Sequence, residues 1–234
     1  MVTKKKYDGY LKYSKNNESE LINYYLTNNK NIYLKLNKEQ EIVAYVPRKY
    51  MNTIILDNFL KSSVPKLLEI KTKIEQKKIL AIDIEKNKFY LWGKESKFLI
   101  QKNMLNLFEL NKNLKILKQG IEFTLNKYLK KILLELSTLY VEKFCKLLCI
   151  PSESIKVRIL KKNNAWGTNH FLKRTITFSD RLIFYRKEVL EYVACHEVVH
   201  FIYQNHSVEF WNMVKKYIPN FKQIKKELKD KIFI

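Results

Sequence analysis

From Asn31 to Pro47 the chain alternates apolar and polar positions on either side of a short polar stretch. The run NIYLKLN, then KEQ, then EIVAYVP predicts a β-hairpin that Pro47 ends. Residues 1–30 are polar and rich in Asn, Lys and Tyr; they carry only a weak helical signal around Glu20–Leu26 and read as an N-terminal extension. Residues 52–72 predict a helix with Ile55, Phe59 and Leu60 on one side, and Pro65 is placed to interrupt or end it. Strands are expected at Ile79–Ile84 and within Phe89–Ile100, with a turn near Gly93, while residues 101–119 are ambiguous. Ile121 to Leu148 is the longest helical pattern, with apolar residues recurring near a period of 3.6, and Pro151 follows as a stop. Beyond it come a strand in SIKVRILKK, an Asn163–Asn164 turn, an extended piece through Trp166–Gly167 and a strand RTITF. A helix is expected over about 187–203, a second one capped by Ser207 and ending before Pro219, and a third over 221–231. Helices and strands mix without βαβ regularity, which predicts an α+β fold. The expected division is an extension at 1–30, a β-rich lobe at 31–119 and a catalytic domain at 120–234.

Composition changes this picture little. Hydrophobic residues make up 46% and aromatics 13% of 234 residues, enough for a buried core and unlike a disordered chain. The net charge of +22 keeps open a nucleic-acid-associated role. Yet five arginines stand against forty lysines, and arginine is the residue suited to bidentate phosphate and base contacts. The lysines are spread along the chain together with abundant Asn and Ile, which fits compositional bias. Cys145, Cys149 and Cys195 form no paired framework and read as packing residues of a reducing compartment. The N-terminal MVTKKKYDGY lacks a following apolar stretch, and no run approaches a membrane span, so a cytoplasmic protein is expected.

The chemistry lies near the C-terminus. Three of the four histidines, His196, His200 and His206, fall close together, and the first two frame a glutamate as His196-Glu197-Val198-Val199-His200. On a helix, positions four apart share a face, so both imidazoles can reach one metal ion, with Glu197 beside them. His206, at the corner between two expected helices, is placed to turn back as the third ligand. Zinc suits three nitrogens and an open fourth position. Val193, Val198, Val199, Phe201 and Ile202 make the helix apolar nearly all round, so it should be buried. The expectation is one zinc ion per chain, Glu197 as general base towards zinc-bound water, and hydrolysis of a peptide or protein substrate. Retention of Glu197 argues against a purely structural zinc site.

These residues resemble the YgjP-like metallopeptidases, relatives of the SprT and WLM groups. The resemblance rests on Trp166-Gly167-Thr168, Thr175–Phe178, Leu182, the His196–His200 motif, Asn205-His206-Ser207 and Phe210-Trp211. Val46-Pro47-Arg48 and Leu91-Trp92-Gly93-Lys94 extend it more loosely to about residues 31–231. It implies a zincin-like fold, a small, mostly antiparallel sheet packed on the metal-bearing helix, and His206 as third ligand. It also implies that the strand at Trp166–Asn169 pairs with an extended substrate. Trp166 itself reads equally as a cleft residue or as core, and His170 reads as a solvated turn residue rather than a transition-state donor. The chain departs from the family pattern at Ala165, where Arg is usual, and at Thr168-Asn169-His170, where Ser-Cys-Ser is usual.

Overall fold

The computed structural model describes residues 6–15, 18–37, 40–162 and 164–234, and the chain divides into two compact units that meet at Lys77 and Lys78. The division expected at 119/120 therefore runs through the second unit. Parts of two expected turns, at Lys38–Glu39 and at Asn163, lie outside the described residues.

The first unit begins with strands β1 (Gly9–Lys15) and β2 (Glu18–Thr27), where the sequence pattern suggested an extension with a weak helical signal. β2 is a strand because it has partners on both edges: β1 antiparallel and β4 (Ile42–Pro47) parallel. Pairing of this kind outweighs local propensity. The expected hairpin is present, β3 (Tyr33–Leu36) lying antiparallel to β4 and completing the order β1-β2-β4-β3. Ile42, Ala44 and Val46 alternate onto the buried face of β4, and helix α1 (Ile54–Lys77) covers them with Leu56, Leu60 and Val64. Its buried stripe thus runs along 56, 60 and 64, while Ile55 is exposed. α1 continues through Pro65, which forgoes one amide hydrogen bond without ending the helix.

The second unit opens with two short strands, β5 (Lys78–Ile79) and β6 (Ile82–Asp83), where one continuous strand was expected. They belong to different sheets. β6 leads into β7 (Lys88–Leu91), β8 (Lys94–Gln101), β9 (Met104–Leu107) and β10 (Lys112–Lys115), an antiparallel meander in the order β10-β9-β8-β7-β6. Its tight turns, at Trp92–Gly93 and Lys102–Asn103, have positive φ at both central residues, the twist that matches antiparallel strands. The ambiguous stretch after residue 101 is thus resolved into strands by its neighbours. Helix α2 (Ile121–Leu147) buries Leu125, Leu129, Leu133 and Val141 along one stripe. Cys145 is buried in the same helix and Cys149 is exposed beyond its end, so the two do not form a pair.

A three-stranded sheet follows, formed by β11 (Lys156–Leu160), β12 (Gly167–His170) and β13 (Thr175–Ser179) in the order β11-β13-β12. β13 is parallel to β11 and antiparallel to β12, so this sheet is mixed and β12 is an edge strand. Helices α3 (Lys187–Val199), α4 (Val208–Tyr217) and α5 (Phe221–Asp230) complete the unit, and β14 (Ile232–Phe233) pairs in parallel with β5. α3 packs against α2, α4, α5 and β12, and its residues Leu190, Val193, Ala194 and Val198 lie inside the main core. No helix among the described residues is long and apolar enough to cross a membrane.

Candidate metal centre

α3 is buried on nearly every side, and His196 Nδ1 is a buried atom without a hydrogen-bond partner. Nine of its residues are buried, including Glu197 and Cys195. His196 and His200, one turn apart, emerge on the same face. The helix stops there: His200 is its C-cap, and the Phe201 and Ile202 amides bond three residues back in a tightened final turn. The chain then reverses, and the Ser207 hydroxyl accepts from the Phe210 amide at 3.4 Å to start α4. This reversal brings His206 back over α3.

One ring nitrogen from each of His196, His200 and His206 lies within 4.8 Å of the other two, and the Nε2 atoms of His196 and His206 are 3.1 Å apart. His200 Nδ1 lies 2.9 Å from the Tyr203 carbonyl. A carbonyl only accepts, so Nδ1 carries the proton and Nε2 keeps its lone pair for a metal. Burial, followed by the neighbouring His200, His206 and Lys225 charges, holds the His196 imidazole down at about 3. Burial lowers His200 as well, against the Tyr203 hydrogen bond. Neutral imidazoles are the form a metal requires. Trp211 stacks on His206 with ring centroids 5.5 Å apart, and Phe210 packs against all three imidazoles, so the rings are fixed by apolar walls.

Glu197 faces β12. Asn169 Nδ2 donates to the Glu197 main-chain oxygen at 2.8 Å, which ties the helix to the edge strand. Gly167 lies directly against the carboxylate: a Cβ there would meet Glu197 Cγ at 2.7 Å and Cδ at 2.8 Å. Burial raises the Glu197 carboxyl to about 7, opposed by the Lys162 charge and by a hydrogen bond from the Asn169 backbone. Lys162 donates to Thr168 Oγ1 at 2.6 Å, and burial lowers its own pKa. Beside this carboxylate is a hollow of about 250 Å³ lined by Trp166, Gly167, Tyr192, His196, Glu197 and Lys225, among others.

The residues expected from the motif thus come together. Trp166 has both of the roles that sequence left open: it packs edge-on against Tyr185 at 5.1 Å and lines the hollow. His170 is exposed at the end of β12, away from the histidine cluster. Sequence reasoning missed Gly167, Asn169 and Lys162 as partners of Glu197. Their only signal was the position of Trp-Gly ahead of the motif.

A family model described as YgjP-like, metallopeptidase domain, matches residues 30–231. Among the solved structures that match are two metallopeptidase zymogens, each at 23% identity. Abylysin of Pyrococcus abyssi covers 42% of this chain and 99% of its own, with a TM-score of 0.38. Jannalysin of Methanocaldococcus jannaschii covers 39% and 86%, with a TM-score of 0.36. No curated protein matches.

Proposed function

The chain belongs to the YgjP-like metallopeptidase family, and on that premise we propose that it is a zinc-dependent peptidase with Glu197 as general base. His196, His200 and His206 would hold the metal. The observation that carries the reading is the convergence of three imidazoles beside a buried carboxylate. Their donor set fits zinc: three imidazole nitrogens, one ring oriented by a carbonyl, and among the described residues no further Cys, His, Asp or Glu grouped with them. Zinc bound there would acidify water and polarise a substrate carbonyl.

The chain's own residues do the rest. Glu197, raised towards neutrality by burial, accepts a proton from the attacking water and returns it to the leaving amine. Gly167 leaves room for that carboxylate, and Asn169 ties the Glu197 main chain to β12. The free edge of β12 offers backbone groups to an extended substrate, the zincin-like arrangement. Trp166 and Tyr192 supply aromatic walls to the hollow. Elemental analysis of the parent and of Glu197→Gln, with hydrolysis of an unfolded protein, tests the proposal. One zinc per chain in both and turnover only in the parent is the expected result; a parent without zinc would overturn it.

A further inference from the structure

α5 separates its residues by face. Phe221, Ile224 and Leu228 are buried, and Glu227 is directed to Arg186 at 2.6 Å and to Lys231. Lys222, Lys225, Lys226 and Lys229 remain, at spacings of three and four that place them along one side of the helix. Among the described residues none of the four has an ion-pair partner. They line two adjoining hollows. The larger, about 470 Å³, lies over Trp211 and Phe221 and is bordered by all four lysines. The smaller, about 250 Å³, reaches His196 and Glu197 and shares Lys225 and Lys229 with it. Lys225 Nζ sits 4.4 Å over the Trp211 ring, and Trp211 stacks in turn on His206. A continuous shelf therefore connects the candidate metal ligands to four uncompensated cations.

We propose that this row makes the enzyme selective for acidic peptides, binding Asp or Glu side chains that flank the scissile bond. The inference rests on the peptidase reading for what happens after binding, not for binding itself. From Lys222 to Lys229 the helix rises about 10 Å. An extended peptide covers that span in about three residues, and residues two apart present side chains on one face. Two acidic residues at positions i and i+2 therefore match the row. Glu197, at the inner end, repels a carboxylate at the scissile position, so the acidic residues lie to one side of it. Nucleic acid fits less well. No arginine lines either hollow, and arginine is the side chain that grips phosphate bidentately.

The test is fluorescence anisotropy with zinc-loaded Glu197→Gln protein, which keeps the shape of the site without its base. The probes are a labelled octapeptide with Glu at two positions two residues apart and its Gln counterpart. The acidic peptide is expected to bind about tenfold tighter at low ionic strength, with most of that gap lost near 0.5 M salt. Lys226→Glu with Lys229→Glu should reverse the order, whereas Lys118→Glu with Lys127→Glu, on the approach to α2 and within it, should not. Equal affinity for the two peptides, or the same loss in both double variants, overturns the proposal. So does an oligonucleotide that outcompetes the acidic peptide and depends on Lys226 and Lys229. A parent that shows the preference but cleaves neither peptide sinks the peptidase reading and leaves the row intact.

Discussion

Gly167→Ala is the substitution that most directly interrogates Glu197 without touching it. Gly167 has no positive φ, so its requirement is for space and not for an unusual backbone. The new methyl would stand 2.7 Å from Glu197 Cγ and nearer still to Oε1, whereas ordinary contact begins at 3.4 Å, so the carboxyl end must retreat by more than roughly 0.7 Å. Neither neighbour can yield easily: β12 is paired to β13, and the Glu197 main chain is held by Asn169 and by the buried helix. A displacement approaching 1 Å in a catalytic group lowers turnover by roughly 10- to 100-fold. Overpacking costs about 1–3 kcal/mol of stability, a fall of several degrees in melting temperature. The histidines are untouched, so zinc content should stay at one per chain. The assay is kcat on an unfolded protein substrate for Gly167→Ala, Glu197→Gln and the double variant. If Gly167 acts only by seating Glu197, the double variant loses no more than Glu197→Gln alone. Parental kcat in Gly167→Ala, or fully additive losses, would refute this account of the glycine.

Further outcomes follow from the same geometry. Ser207→Ala removes the cap that begins α4 directly after His206; it should cost about 1 kcal/mol and weaken zinc retention during dialysis against a chelator. His206→Ala should lose zinc outright while the far-ultraviolet circular dichroism of the chain is kept, since His206 is exposed and outside every helix. Chelation of the parent should lower its melting temperature, because a metal that binds only the folded state stabilises it by mass action, and readdition of zinc should restore it. Leu133→Ala, in the buried stripe of α2, should cost about 2–5 kcal/mol in urea unfolding, with kcat per folded molecule unchanged.

The candidate site was legible because its members are local. His196 and His200 share a helix face by spacing alone, and Ser207 announced the corner that returns His206. α2 was legible for a similar reason, since its period of 3.6 is sustained over many turns. What escaped were relationships between distant segments. Gly167 and Glu197 are thirty positions apart, and nothing local says that one must be small for the other. β2 pairs in parallel with β4 across an intervening strand, so a local signal at Glu20–Leu26 could not reveal it. The lysine row was hidden by abundance: among forty lysines, only packing of Phe221, Ile224 and Leu228 decides which four face the hollows. Pro65 shows the converse, a strong local signal overridden within a helix anchored by the buried stripe Leu56, Leu60 and Val64.

The stop of α3 at His200 has an electrostatic meaning. The three imidazoles are neutral ligands, so a dication among them would keep its full charge, with no thiolate or carboxylate ligand to reduce it. The aligned peptide dipoles of a helix sum to roughly half a negative charge at its last turn, and here those carbonyls also accept from the His200, Phe201 and Ile202 amides and from Asn169 Nδ2. His200 lies at that end, and its own ring is tied to the Tyr203 carbonyl just beyond. The backbone thereby offers diffuse negative potential to a cation at this place without coordinating it. Such an arrangement would favour a metal here while sparing its capacity to withdraw electrons from a substrate.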